Sequence, residues 1–392
     1  MIVAPPNGLY QGIRQGAPPF IIRSTFCNEA KDLIARATMD LPTALKIIID
    51  RTIKDLKDAG LWDKIDVLYF LNANSSQFSC LNWKANQFNI ITSGGPSFLD
   101  FTGWMGGPTA YLKTGWIPAN SKLFTTTRGG FHFSIFQRPK NANPYIFGTS
   151  SSTTGKDYLQ TIASSSERAY INANAYSQNM TAIWDHIYSY LINNSNNYSY
   201  DNGGSKQTTT YTKIGKSTNE MVLCGANLIG SYAGSYTGMK NWIATDLLTD
   251  SEVLMLNAII ANFNNTFEST FLGPELNTDP YFSNDSLWTK GTGWSIANNT
   301  ATYVTGVTSN IVLNTPPPGA NVVGQRYRIM ARPTANLENV YIDTTGGYTG
   351  TFSLNETTRI VTCASASEYF GIRASLSGNV TSFSIKQILP IN

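Results

Sequence analysis

The sequence predicts a mainly β protein: two β-sandwich (jelly-roll) domains in tandem, with a helix before and a helix after the first sandwich and an irregular N-terminal segment. Three observations predict it. Charged residues make up 14% of the 392-residue chain, against about 25% in an average soluble domain, and Ser, Thr, Asn and Gly take their place beside 12% aromatics. Long surface helices carry Glu and Lys, so this balance favours short strands joined by polar turns. Runs of β-branched and aromatic residues recur between turn clusters along most of the chain. A helical apolar period with start signals occurs at two places, near Asp40 and near Thr249.

Taken in order, residues 1–39 contain Pro5, Pro6, Pro18 and Pro19 and read as irregular, with a short helix around Asn28 to Ala37. At Asp40 a helix begins: Asp40 reads as its N-cap and Pro42 sits in the first turn, where a missing N–H costs little. Leu41, Ala44, Leu45, Ile48, Ile49, Thr52, Ile53 and Leu56 share one face, and Gly60 stops the helix. That face predicts packing on a neighbouring element rather than a trimeric coiled coil.

From Leu61 to about Ile243 the runs Val67-Leu68-Tyr69-Phe70-Leu71, Phe131-His132-Phe133-Ser134-Ile135-Phe136 and Met221-Val222-Leu223 read as strands. Clusters such as Ser93-Gly94-Gly95-Pro96, Gly106-Gly107-Pro108 and Asp201-Asn202-Gly203-Gly204 separate them. Met180 to Leu191 fits either a helix or strands, and the alternation of Tyr188, Tyr190 and Ile192 selects strands. Thr249-Asp250-Ser251-Glu252 is a capping-box sequence, and Val253, Leu256, Ile259, Ile260 and Phe263 form the apolar stripe of a helix ending at Asn264-Asn265. Glu268 to Pro274 reads as a linker. Residues 275–392 are short strands punctuated by Thr315-Pro316-Pro317-Pro318-Gly319 and Thr345-Gly346-Gly347, the spacing of one sandwich.

Whole classes of function are excluded on composition. A net charge of +3 without a Lys/Arg cluster is too weak to imply a nucleic-acid partner. No apolar run approaches the 18 residues of a membrane span, so membrane insertion is not expected. Met1-Ile2-Val3-Ala4-Pro5-Pro6 has neither a basic nor an apolar signal-peptide region, which predicts synthesis in a cytoplasm without a secretory route. Cys27, Cys80, Cys224 and Cys363 match no zinc or redox spacing and read as unpaired thiols.

Two stretches carry a resemblance. Ala59-Gly60-Leu61-Trp62-Asp63-Lys64-Ile65-Asp66-Val67-Leu68-Tyr69, then Leu81-Asn82-Trp83-Lys84, Tyr111-Leu112-Lys113-Thr114-Gly115-Trp116-Ile117-Pro118 and the Thr249 helix resemble a concanavalin A-like, laminin-G-type module common in phage structural proteins. The match covers residues 40–267. Glu275-Leu276, the Trp288 to Ile296 run, Gly324 to Ile329 and Val380 to Lys386 are similar to the carbohydrate-binding-module-like jelly rolls appended to phage fibres and glycoside hydrolases, over residues 275–392. The resemblance implies a bacteriophage virion protein, a fibre or spike. Residues 1–39 would anchor it to other virion proteins, and the remainder would bind cell-surface glycans, as a homo-oligomer with a trimer favoured. A surface protein without an export signal suits a particle assembled in host cytoplasm. A head-fibre or decoration protein and a polysaccharide depolymerase are the alternatives.

Chemistry is sparse. His132 sits between Phe131 and Phe133 and reads as a satisfied strand histidine, and neighbouring Asp185 and His186 would point to opposite faces of a strand. No Gly-x-Ser-x-Gly elbow and no metal-spaced His/Cys cluster occurs. Asp100, Asp157, Glu167, Asp185, Asp201 and Glu220 are too scattered to share one strand face, so no catalytic pair and no enzyme is expected. No cofactor is expected. Asn277, Asp279, Asn284 and Asp285 fit either a structural calcium site or an Asx-rich turn. Sugar binding needs aromatic platforms. Of the candidates Trp83, Trp104, Trp116, Tyr232, Tyr236, Trp288 and Trp294, core packing is the first reading for each. Trp104 and Trp116 lie beside glycine turns, and Tyr232 and Tyr236 lie in the Tyr/Ser/Gly-rich loop Gly230 to Gly238, which makes these four the ligand-binding candidates.

Overall fold

The computed structural model describes residues 26–137, 145–151, 156–162, 166–171, 179–180, 186–194, 196–201, 204, 206–210, 215–304, 309–313, 322–333, 340–345, 358–363, 369–374 and 378–390. Among them the chain is mainly β and folds as two sandwiches in tandem. The turns at 315–319 and 345–347, the segment 181–185 and residues 1–25 lie wholly or largely outside the described residues.

The first sandwich stacks an eight-stranded sheet on a nine-stranded one. The eight-stranded sheet is centred on Arg128–Gln137, flanked by Ile187–Asn193 and Gly238–Thr245, with Ile65–Phe70 pairing the latter. Arg128–Gln137 is buried from Gly129 onward because both its faces are covered. Phe131, Phe133, Tyr188, Tyr190 and Trp242 point into the core between the sheets. The strand reading of Tyr188, Tyr190 and Ile192 holds, since all three face this core.

The other face of that sheet, including Leu68, Phe70, Leu191 and Ile243, packs under a layer of helices. These are α1 (Asn28–Ala35), α2 (Thr43–Asp58), the one-turn α3 (Ser76–Ser79) and α4 (Asp250–Phe271). Ala30 and Leu33 of α1, the short helix expected around Asn28 to Ala37, are fully buried in that layer. The apolar stripe of α2 is buried as the periodicity predicts, and Gly60, at φ +67°, takes the left-handed turn that ends the helix region. Asp40, however, is not the N-cap. Pro42 occupies that position, and Asp40 pairs instead with Lys46 at 2.6 Å. A proline disfavours helical backbone at the residue before it, so the helix cannot reach back past Leu41.

The capping box of α4 forms: Thr249 Oγ1 accepts from the Glu252 N–H, and the Glu252 carboxylate accepts from the Thr249 N–H at 2.9 Å. Thr249→Ala is expected to lower unfolding free energy by about 1 kcal/mol, read as a fall in the urea midpoint at unchanged slope. An unchanged midpoint would show that tertiary packing alone sets the helix start. The expected stop at Asn264-Asn265 is overturned, because α4 runs on to Phe271. Phe263, Phe267 and Phe271 keep the four-residue spacing on the buried face, while Asn265 points outward. The linker reading of Glu268 to Pro274 fails for the same reason. Glu268 is helical, and Leu272–Glu275 is a strand paired with Gly378–Ile388.

In the second sandwich a six-stranded sheet built on Arg326–Pro333 and Gly378–Ile388 faces a four-stranded sheet. Trp288, Trp294, Tyr303, Tyr327, Ile329, Phe383 and Ile385 fill the space between. The opposite face of the six-stranded sheet is turned toward α4. There Arg328 forms an ion pair with Glu268, and nearby Arg326 reaches Asp100 at 2.7 Å.

Candidate functional site

The structure separates the four candidate aromatics into two groups. Trp104 is 5% exposed and Trp116 1%. The Trp104 indole N–H donates to Ser79 Oγ at 2.8 Å, and that of Trp116 to Asp66 Oδ2 at 2.7 Å. Trp116 meets Phe124, Phe131 and Trp242 edge-on. With their polar edges satisfied internally and their faces against other rings, neither tryptophan is a ligand platform, and their candidacy is corrected here. Trp83, Trp288 and Trp294 are likewise core residues.

Tyr232 and Tyr236 remain at the surface. Tyr232, 37% exposed, lies on the short strand Ser231–Gly234. Its ring stacks on Tyr111 with centroids 5.1 Å apart and planes within 3°. Its hydroxyl donates to Glu220 Oε1 at 2.6 Å, and Lys113 Nζ lies 3.0 Å from the same oxygen and 4.9 Å from the ring centroid. The Gly115 N–H donates to the second Glu220 oxygen at 3.2 Å. Glu220 therefore orders both the tyrosine and the lysine. Partial burial and the neighbouring Glu220 carboxylate raise the Tyr232 phenol, while the Glu220 hydrogen bond raises the Lys113 ammonium, so the phenol stays a donor and the amine stays charged.

Tyr111 and Lys113 share one face of their strand, because Leu112 between them points into the core. Ile91, 68% exposed, pairs with Lys113 in the register and adds an apolar edge. Tyr236, half-buried, borders a hollow of about 260 Å³ walled by Gly94, Gly95, Gly106, Gly107 and Pro108. Glycine is required there. At Gly94, φ is +70° and an added Cβ would come within 1.9 Å of the Thr109 carbonyl oxygen. The sequence reading missed Tyr111, Lys113 and Glu220. The alternation of Tyr111-Leu112-Lys113 signalled a shared face, but nothing local placed Glu220 and Tyr232 beside it.

The two histidines and the Asx-rich segment are each engaged within the fold. His132 is fully buried, with its ring nitrogens 2.7 Å from Ser189 Oγ and 3.1 Å from Thr245 Oγ1, and burial pushes its pKa down to about 3. His186 pairs with Asp201 at 2.6 Å across a hairpin, and Asp185 lies outside the described residues. Asp279 is buried in an Asx-rich turn: its oxygens accept from the Ser283 N–H and hydroxyl, the Asn284 N–H and the Trp288 indole. Asp285 pairs with Lys290, and the Asn277 amide donates to the Phe383 carbonyl. These bonds make an Asx-rich turn of the segment, one of its two expected readings. No disulfide joins the cysteines, and burial raises the Cys80 thiol to about 11 and that of Cys224 to about 12.

No protein-family model and no curated protein matches the chain. Among solved structures it is similar to a Trypanosoma rangeli sialidase mutant displaying trans-sialidase activity, at 10% identity and a TM-score of 0.40 over 57% of this chain and 40% of that one. Trypanosoma rangeli sialidase itself gives 10% identity and a TM-score of 0.39, over 56% and 40%. The chain thus spans about 40% of the length of these sialidases. Domain 4 of an extracellular arabinanase of Geobacillus stearothermophilus, in complex with arabinotriose, gives 11% identity and a TM-score of 0.36 over 50% of this chain and 98% of that one.

Proposed function

We propose that the chain is a glycan-binding surface protein that holds its ligand without turning it over, in the setting of a bacteriophage fibre or spike. The binding reading is carried by one observation: an exposed tyrosine stacked in parallel on a second tyrosine, with a lysine and a glutamate locked beside it. A pyranose has an apolar face and a rim of hydroxyls. The Tyr232 surface offers a ring for the first, and Lys113 and Glu220 offer a donor and acceptors for the second. Binding without hydrolysis is part of the same proposal. Glu220 is engaged by Lys113, the Tyr232 hydroxyl and the Gly115 N–H, which supports a holding rather than a hydrolytic role.

The phage setting, the anchoring role of residues 1–39, the trimer and the virion location rest on the sequence resemblance alone. The test is a glycan-array and whole-cell binding assay on the full chain, with soluble sugar release followed in the same wells. Retention without release is expected, and Tyr232→Ala is expected to weaken it about 5- to 30-fold, the equivalent of 1–2 kcal/mol of ring stacking. Release of reducing ends would make the protein a depolymerase. Neither retention nor release would leave a purely structural particle protein.

A further inference from the structure

The hollow of about 260 Å³ beside Tyr236 adjoins the Tyr232 platform through the chain itself. On the strand Ser231–Gly234, alternation turns Tyr232 and Gly234 to the same face. Tyr232 stacks on Tyr111, and the Gly234 N–H donates to the Pro108 carbonyl at 3.2 Å. A Cβ at Gly234 would fall 2.2 Å from the Gly107 carbonyl oxygen, so glycine lets this strand lie directly on the segment 107–111. The hollow, walled by Gly107, Pro108 and Ala110, therefore opens beside the stacked rings. Tyr232 and Tyr236 are four residues apart in the chain, a reach of no more than about 14 Å. A trisaccharide is long enough to touch both.

The lining of the hollow is selective. Every described residue around it is uncharged, so it offers no ion pair to a carboxylate, a phosphate or an ammonium group. Much of it is main chain, because Gly94, Gly95, Gly106 and Gly107 carry no side chain. Among the described residues the N–H groups of Gly94, Gly95 and Thr109 donate to no partner. Met105, Pro108 and Ala110 add apolar atoms beside them. Gln137, the one amide side chain in the wall, is fully buried and turns its nitrogen to the Tyr236 carbonyl at 3.4 Å. A peptide-like amide that ends in a methyl group matches this mixture. Its oxygen accepts from main-chain N–H groups, its methyl is buried against Met105 and Pro108, and it carries no charge. A hydroxyl in the same place would fill less of the space and face apolar lining.

We propose that the hollow is the specificity subsite of the Tyr232 site. It takes the acetamido group of a neutral N-acetylhexosamine unit while Tyr232 carries the ring of another unit. The ligand class is then an N-acetylhexosamine oligosaccharide, an inference that rests on the glycan-binding reading above.

The test is titration calorimetry of the full chain with chitotriose and with cellotriose. The two share their linkage, are both uncharged, and differ in carrying acetamido or hydroxyl groups at the 2-position. Chitotriose is expected to bind at least about tenfold more tightly, from one buried methyl and one main-chain hydrogen bond. Gly107→Ala sets a methyl on the wall of the hollow, where it meets only the Ala110 Cβ at 3.5 Å, an ordinary contact. It is expected to cut the chitotriose affinity about fivefold or more and so erase most of the preference. Tyr236→Ala, at a half-buried position, is expected to do the same. Tyr232→Ala is expected to weaken both sugars. Urea midpoints establish that each variant is folded. Equal affinity for the two sugars, a preference that survives in both hollow variants, or a chitotriose affinity indifferent to Tyr232→Ala would overturn the proposal. If array glycans are retained and are lost in Tyr232→Ala while the two trisaccharides bind alike or not at all, the subsite fails alone. If cells are not retained while chitotriose is preferred and the hollow variants lose it, the adhesion reading fails and the subsite stands.

Discussion

Trp116→Ala is expected to lower the unfolding free energy by about 3–5 kcal/mol, the range for truncating a large aromatic in a packed core. The ring is 1% exposed and closes a cluster with Phe124 at 5.7 Å, Phe131 at 6.1 Å and Trp242 at 5.7 Å. Truncation also strips Asp66 of the indole donor at 2.7 Å. The measurement is urea unfolding followed by fluorescence and circular dichroism, beside glycan retention at temperatures where the variant is still folded. Retention should then match the parent. A variant as stable as the parent that no longer retained glycan would restore Trp116 as a ligand platform and refute its place in the core.

Glu268→Gln is expected to cost about 3 kcal/mol near neutral pH. The amide keeps the shape but removes the charge that Lys240 and Arg328 share, and those side chains are 5% and 3% exposed. Burial alone would raise the Glu268 carboxyl, but Lys240, Arg328 and Lys386 outweigh it and hold the group well below the usual carboxylate range. A depressed folded value gives stability that is full above the unfolded value of about 4.3 and is lost as pH falls toward the folded value. The gap between parent and variant should therefore narrow by about 1 kcal/mol between pH 7 and about pH 3.5. Urea titrations of both proteins at the two pH values decide it, since contributions common to both cancel. A gap independent of pH would show that the carboxylate charge is not what holds α4 to the second sandwich.

The elements the sequence gets right are those specified by neighbours in the chain. The start of α4 is legible because a capping box is four consecutive residues satisfying one another's backbone. The strand at Ile187–Asn193 is legible because alternation requires no knowledge of its partner. The end of α4 is misread because an Asn pair resembles a stop, whereas Phe267 and Phe271 extend the buried stripe past it. Asp40 is misread as a cap because the proline two residues later, not the aspartate, limits the helix.

The candidate site shows the same division. The Tyr/Ser/Gly loop at 230–238 marked Tyr232 and Tyr236 from composition alone. The glycines beside Trp104 and Trp116 suggested exposure equally well, yet they answer backbone needs: at Gly106 an added Cβ would stand 2.4 Å from the Ser235 carbonyl oxygen, and Gly115 sits at φ +68°. By itself the sequence determined the mainly β class and the helices near Asp40 and Thr249, because periodicity, capping and turn chemistry act over a few residues, and the resemblance added the tandem sandwiches. Only the tertiary structure decided which aromatics are buried, that Glu220 orders Lys113 and Tyr232, and that Glu268 gathers cations from three distant strand positions. Those are contacts between residues more than 100 positions apart, as from Lys386 to Glu268 or Trp116 to Trp242, and the free energy that fixes them comes from packing whole sheets and helices together rather than from any local run of the chain.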